Sequence, residues 1–439
     1  MTSESVIIIG AGWAGLAAAV RLSEKGIKVS LFESAKQAGG RARSVTFNDL
    51  TVDNGQHLLI GAYTECLHLM KTVGIDTSSA LKRLPLLLTV VDQKYSTLRL
   101  KAPYLPAPLH LLYALITAKG LKLKDRLAAI NFGLFLKKNN YQLKQDISVN
   151  ELFKRTKQTD ILIRQLWVPL CLSIMNTPTD DASANVFMRV FKDAFTNKKS
   201  DADLLVPTVD LSKLFPNAAI KYIETKGGSV YLKSRIEKIN IEGNQVTSVT
   251  AKIDNKEETF NTSNIIVATA PQNINKLIAK HTNLESVSNK VEQYSYQPIV
   301  TVYLQYSQEV QLSQPMLGFS NTISQWAFDR GVLCEQRGLI SVVISCDGPH
   351  MALDDDTLTQ TVHNEILQNL IGSTALLNAF VIREKRATFA CSVNINDIRP
   401  ENKTDIKGLF IAGDYTNTHY PATLEGAVRS GITASSLIK

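Results

Sequence analysis

The feature that most constrains this chain lies at its start. Val6-Ile7-Ile8-Ile9 runs into Gly10-Ala11-Gly12-Trp13-Ala14-Gly15, and an acid, Glu33, follows the next apolar run. Four consecutive β-branched residues predict a strand, and each glycine after it has its own task. Gly10 permits a tight turn out of the strand, Gly12 lets the backbone approach a pyrophosphate, and Gly15 lets the helix Leu16 to Lys25 pack close on the strand. The first N–H groups of that helix have no partner within it and face the anion. Gly26 stops the helix, Ile27 to Phe32 forms the second strand, and Glu33 stands where a carboxylate accepts ribose hydroxyls. Strand, glycine turn, helix and acid in register predict a βαβ unit that holds a dinucleotide.

A chain of 439 residues exceeds what one core usually holds, so two or three lobes are expected. Its apolar and charged fractions, 44% and 20%, are those of an ordinary folded protein. The cysteines Cys66, Cys171, Cys334, Cys346 and Cys391 are odd in number and never at CxxC spacing. That pattern points to a reducing compartment and to core positions, and away from a disulfide framework or a metal site. The N-terminus has no basic n-region, and no uncharged run reaches the roughly 18 to 20 residues of a membrane span. Ala102 to Ala118 comes nearest and is broken by Pro103, Pro106, Pro108 and His110. A cytoplasmic protein is expected. The formal charge of +8 arrives without a nucleic-acid module, so no nucleic-acid partner is expected. Basic residues gather only at Lys119, Lys122, Lys124, Arg126, Lys137 and Lys138.

From Pro103 to about Ser200 the chain reads as mostly helical. Leu123, Leu127, Ile130 and Leu134 recur at helical spacing, widened by Ala128, Phe132 and Phe135. That stripe reads either as a core face or as an interfacial face whose basic ends meet anionic headgroups on the inner side of the membrane. Strands follow at Glu237 to Asn240, Gln245 to Ile253 and Asn264 to Ala270. A second β-rich stretch spans Pro298 to Tyr306 and Leu339 to Cys346, with a helix near Asp356 to Ile371 and a strand near Ala379 to Arg386. The C-terminal segment ends a buried strand in Gly413-Asp414 and starts a helix after Pro421-Ala422-Thr423, which aims a helix N-terminus at a ligand.

Gly39-Gly40-Arg41-Ala42-Arg43-Ser44, Asp53-Asn54-Gly55 and Gly413-Asp414 resemble motifs of the two-dinucleotide-binding flavoenzymes, the group of amine oxidases and carotenoid desaturases. The resemblance implies FAD. It also implies an α/β fold: a Rossmann-like FAD-binding domain assembled from residues 1–75, 205–270 and 405–439, a helical substrate or membrane-contact insertion over 76–204, and an α+β substrate domain over 271–404. Cofactor contacts are then expected from Gly10, Gly12, Trp13, Ala14, Gly15, Glu33, Ser34, Gly40, Arg41, Ala42, Arg43, Asn54, Gly55, Gln56 and His57. Further along the chain they are expected from Ile236, Ala268, Gly413, Asp414, Thr423, Leu424, Glu425 and Ala427, with no metal.

The middle of the chain is similar to one branch of that group, the squalene-associated flavoproteins of bacterial hopanoid synthesis. The stretches that carry the likeness include Gln56-His57-Leu58-Leu59-Ile60-Gly61, Trp167 to Pro178, Asp203 to Pro207 and Pro298 to Tyr306. It implies reduction of hydroxysqualene to squalene by an electron donor that the residues do not name. Polyene desaturation or isomerisation, and more distantly amine oxidation or a non-catalytic FAD-bound scaffold, are the alternatives. Amine oxidases place a flavin-facing lysine in the strand that here reads Pro298-Ile299-Val300-Thr301-Val302, and no lysine stands there. The proton donor is expected among His57, Asp53 and Tyr420, with His419 also near; Trp167, Met175 and Phe187 are expected to line an apolar cavity or core.

Overall fold

The computed structural model describes residues 5–47, 50–278 and 281–439. Val6–Ile9 is the middle strand of a five-stranded parallel sheet, because all four side chains are apolar and both faces are covered. The order is Ser229–Tyr231, Val29–Phe32, Val6–Ile9, Ile265–Val267 and Leu409–Ile411. Distant segments thus meet in one sheet. The helix Trp13–Glu24 packs on it so closely that a Cβ on Gly15 would lie 1.9 Å from the Gly10 carbonyl oxygen. The C-terminal helix Leu424–Ser436 crosses that helix at Gly431, where a Cβ would lie 2.1 Å from the Ala14 carbonyl oxygen.

Arg235–Glu242, Gln245–Ile253 and Lys256–Asn261 form an antiparallel meander that leads into Ile265–Val267. A seven-stranded sheet stands apart from the first, in the order Asn378–Phe389, Tyr296–Gln305, Leu339–Ser345, Trp326–Asp329, Met316–Ser320, Leu87–Asp92 and Leu98–Lys101. Its strands alternate. Val342, Ala327 and Leu317 pack beneath the helix Asp355–Ile366, while Val343, Trp326, Phe328, Met316 and Leu88 line a cavity on the opposite face.

Two expectations are corrected here. Residues 81–101 are not helical: Leu81–Leu84 pairs with Leu204–Pro207, and Leu87–Asp92 and Leu98–Lys101 extend the seven-stranded sheet. Their leucines and valines recur at every second residue, a strand period inside a region otherwise made of helices. The core reading of the Leu123 stripe is also overturned. In the helix Leu123–Lys138 the inward face is Asp125, Ala129, Phe132 and Leu136, and Leu123, Leu127 and Leu134 are 71%, 51% and 60% exposed. Trp167, Met175 and Phe187 are core residues of the helical region.

Candidate active site

Between the two sheets lies a cavity of about 720 Å³. One end is polar and built from main chain: Gly10, Gly12, Trp13, Ala14, Glu33, Ser34, Gly40, Arg41 and Ala42 line it, with Ile236, Ala268, Gly413, Asp414, Thr423, Leu424 and Ala427 opposite. The other end is an apolar arm of Leu58, Leu86, Leu88, Leu170, Phe191, Phe195, Leu204, Met316 and Phe328 among others. Where they join stand Asn54, Gly55, Gln56, His57, Ile299, Glu384 and Thr388.

The polar end follows from the glycine loop. Gly10 turns at φ +105°, a backbone conformation other residues rarely adopt, and its Cβ position lies 2.7 Å from the Ala268 carbonyl oxygen. At Gly12 a Cβ would meet nothing within 4 Å, so it would project into the groove beside the helix N-terminus. No side chain caps that first turn and no acid stands in it, which leaves its N–H groups for an anion. Glu33 accepts hydrogen bonds from the N–H groups of Ala11 and Ala35, both at 2.8 Å, and this fixes its carboxylate at the rim. Arg41 donates to Asp414 at 2.7 Å and to the Ala387 carbonyl at 2.6 Å, which ties the first motif to the C-terminal one. The Thr269 hydroxyl, on the cavity wall, is buried without a partner among the described residues.

Several expected site residues lie elsewhere. Asp53 is buried at the joint between the strand Leu50–Asp53 and the helix at Leu211, whose N–H it accepts at 2.8 Å. Burial pushes its carboxyl up to about 6. Tyr420 is buried outside the cavity, hydrogen-bonded to Asp193 and covered by Arg429. His419 is exposed beside it. Glu425 accepts from the N–H groups of Glu65 and Cys66 and pairs with Arg429, so it anchors the N-terminus of the helix Thr64–Thr72. Gly15 packs helix on strand, and Arg43 folds back onto the Gly40 carbonyl. None of these six residues lines the cavity. The physical reason at Asp53 is alternation: it and Asn54 face opposite ways.

His57 does line the join. Its Nδ1 lies 2.8 Å from the Gly55 carbonyl, which can only accept, so Nδ1 carries the hydrogen and Nε2 a lone pair. Burial holds its basicity below the usual histidine range.

The residue that the sequence reading missed is Glu384. Pro298 has no N–H for the ladder, and the pairing of Tyr296–Gln305 with Asn378–Phe389 jumps from Gln297 opposite Thr388 to Ile299 opposite Glu384. The resulting bulge frees the Ala387 carbonyl for Arg41 and turns Glu384 and Ile299 onto the cavity wall together. Asn176, left-handed at φ 44° at the end of the helix Val168–Met175, pins this bulge. Its amide donates to the Pro298 carbonyl at 3.2 Å and to Thr388 at 2.9 Å, and accepts from the Cys346 N–H at 2.8 Å. The only sequence signal is Pro298 in an otherwise apolar strand.

The model of the flavin containing amine oxidoreductase family matches residues 13–439. The chain belongs to this family. Among its relatives, the hydroxysqualene dehydroxylase of Zymomonas mobilis is 28% identical, with 98% of each chain covered. The zeta-carotene desaturase of Arabidopsis thaliana is 24% identical, over 99% of this chain and 85% of the relative. The fold matches an oxidoreductase from Methanosarcina mazei at a TM-score of 0.73, with 16% identity and 99% of both chains covered. It also matches cyclohexylamine oxidase from Brevibacterium oxydans at 0.69, with 15% identity over 99% and 98% of the two chains. Like the family, the protein is an FAD-dependent oxidoreductase. The cavity fits that cofactor: an uncapped helix N-terminus at a groove only glycine leaves open, an acid at one rim and a buried unpartnered hydroxyl beside it.

Proposed function

We propose that this flavoenzyme removes the hydroxyl group of hydroxysqualene reductively and releases squalene and water. The observation that carries the reading is the apolar arm, which among the described residues runs without a charged side chain from the join to Leu86 and Phe195 and suits a long isoprenoid. Relatives of that printed activity, at 28% and 26% identity and near-full length, support it. FAD, when bound and reduced, supplies the hydride.

The chain's own residues bind, orient and exclude water. The N–H groups of residues 12–14 hold the pyrophosphate, Glu33 and Ser34 the ribose, and Ile236 the adenine. Arg41 with Asp414, and the first turn of the helix at Thr423, Leu424 and Ala427, hold the remainder, while Asn54, Gly55 and Gln56 border the ring. The neutral His57 accepts the substrate hydroxyl on Nε2 and orients it. No lysine stands in the strand Tyr296–Gln305, and Ile299 is the residue that this strand gives to the cavity wall.

The expected result is conversion of hydroxysqualene to squalene by anaerobically reduced enzyme, read by mass spectrometry as loss of oxygen. Gain of a double bond in a polyene would instead make it a desaturase, and untouched hydroxysqualene would overturn the reading.

The substrate is insoluble in water, and we read the outward face of Leu109–Thr117 and Leu123–Lys138 as the surface that meets the bilayer. Tyr104, Leu109, Tyr113, Leu123 and Leu127 are 94%, 51%, 49%, 71% and 51% exposed there, next to Lys119, Lys122 and Lys124. Lys199 lies 5.6 Å from the Tyr104 ring, and the same segment lines the arm through Ala202 and Leu204, so patch and arm share a wall. No helix among the described residues is long and apolar enough to cross a membrane. Co-sedimentation with anionic vesicles should weaken about tenfold or more when Lys122 and Lys124 become Gln, at about 1 kcal/mol per basic residue. Equal binding removes this surface from the reading.

A further inference from the structure

A hydroxide is a poor leaving group, so a hydroxyl that departs from carbon has to take a proton as its bond breaks. The ionisable groups on the cavity wall, among the described residues, separate by position. Arg235, Glu237 and Lys276 lie at the far polar end, where the Ser234 N–H meets the Glu33 carbonyl. Glu33 is engaged by two backbone N–H groups there, and Arg41 and Asp414 are paired with each other. His57 has given its one N–H to Gly55, and burial drives the Tyr63 phenol well above its ordinary range, which makes it a poor acid.

One group remains at the join. We infer that Glu384 is the catalytic acid that protonates the departing hydroxyl, an inference that rests on the proposed dehydroxylation. Among the described residues its carboxyl receives one hydrogen bond, from the Asn54 amide to Oε2 at 3.3 Å, which leaves Oε1 without a partner on a side chain that lines the cavity. Asn54 adjoins Gly55, whose carbonyl fixes His57, so the orienting acceptor and the acid stand on the two sides of one short turn. Across the strand pair Ile299 faces the same way as Glu384 and shields it with an apolar wall.

The step balances. The allylic C–O bond breaks and its electron pair leaves with oxygen. Oxygen takes the Glu384 proton and departs as water, and the carbon receives the hydride that the reduced cofactor supplies. Glu384 is then a carboxylate and regains a proton from solvent. The bulge at Pro298, pinned by Asn176, is what keeps this side chain on the cavity face.

The test compares the flavin-loaded wild type and Glu384→Gln on hydroxysqualene and on its acetate ester, whose carboxylate leaves without a proton. The variant should lose about a hundredfold or more of kcat on the alcohol, within the range for general acids, with KM nearly unchanged. It should keep the ester reaction within a few fold. Flavin content and the visible spectrum check folding. Glu384→Asp, which keeps the carboxyl, should recover part of the rate. Equal loss on alcohol and ester, or full activity on the alcohol, overturns the assignment. A wild type that converts neither compound overturns the dehydroxylation itself.

Discussion

The dinucleotide end of the cavity is shaped by main chain, and the apolar arm is shaped by side chains. At the first, Gly10 and Gly15 have Cβ positions 2.7 Å and 1.9 Å from carbonyl oxygens, so one residue type answers each position. At the second, Leu58, Leu86, Leu170, Phe191, Leu204, Met316 and Phe328 come from separate stretches of chain, and many apolar side chains of similar volume would serve. The difference teaches where specificity can change cheaply: a family can keep one end and vary the other.

The strongest way to break that comparison is at Arg399. It is 1% exposed, and burial alone, with no carboxylate in hydrogen-bond contact, pulls its guanidinium below the usual arginine range. It donates to the carbonyls of Asp414 and Thr416 at 2.7 Å, to that of Tyr420 at 2.5 Å and to the Thr418 hydroxyl at 2.7 Å. It therefore holds the loop that presents Asp414 to Arg41. Arg399→Met leaves these acceptors buried without donors, at about 1–3 kcal/mol each before relaxation. We expect a net loss of about 3–5 kcal/mol in urea unfolding and protein that retains little FAD. Wild-type stability with full flavin content would show that the main chain of this loop does not shape the polar end.

This contrast also accounts for what could be read from the residues alone. The glycine loop, Glu33, Gly40-Arg41 and Gly413-Asp414 were legible because backbone geometry leaves them few substitutes. Arg43 and Asp53 stand in or beside those motifs, and Tyr420 and Glu425 lie in the C-terminal segment, yet their side chains turn away from the cavity: Arg43 folds onto the Gly40 carbonyl, Glu425 caps the helix at Thr64 and Asp53 the helix at Leu211. Motif membership says that a residue is near the site, and only the pleat or the helix face says which way it turns. Glu384 was illegible for another reason. Its direction depends on a bulge set by Pro298 on the neighbouring strand and on Asn176 more than 200 residues away, neither of which leaves a mark in its own stretch of chain. The Leu123 stripe shows the limit of periodicity, because a helix that is apolar on two faces does not declare which one is inward.

A smaller effect sharpens the comparison from the arm side. Phe195 closes the helix Ala184–Phe195, is partly buried and lines the arm, and its ring packs 4.6 Å from that of Phe191. Truncation to Ala removes apolar contact with the isoprenoid but no hydrogen bond and no main-chain constraint. A partial loss of a phenyl group's burial is worth about 1–2 kcal/mol, roughly five- to thirtyfold in KM for hydroxysqualene. Flavin content should match that of the wild type, because Phe195 lines the arm and makes no hydrogen bond to the residues of the polar end. Phe195→Leu should behave almost as the wild type, since the arm asks for volume and not for shape. If Phe195→Ala sheds FAD as Arg399→Met does, the two ends are mechanically one, and the division between a fixed cofactor groove and a variable arm fails.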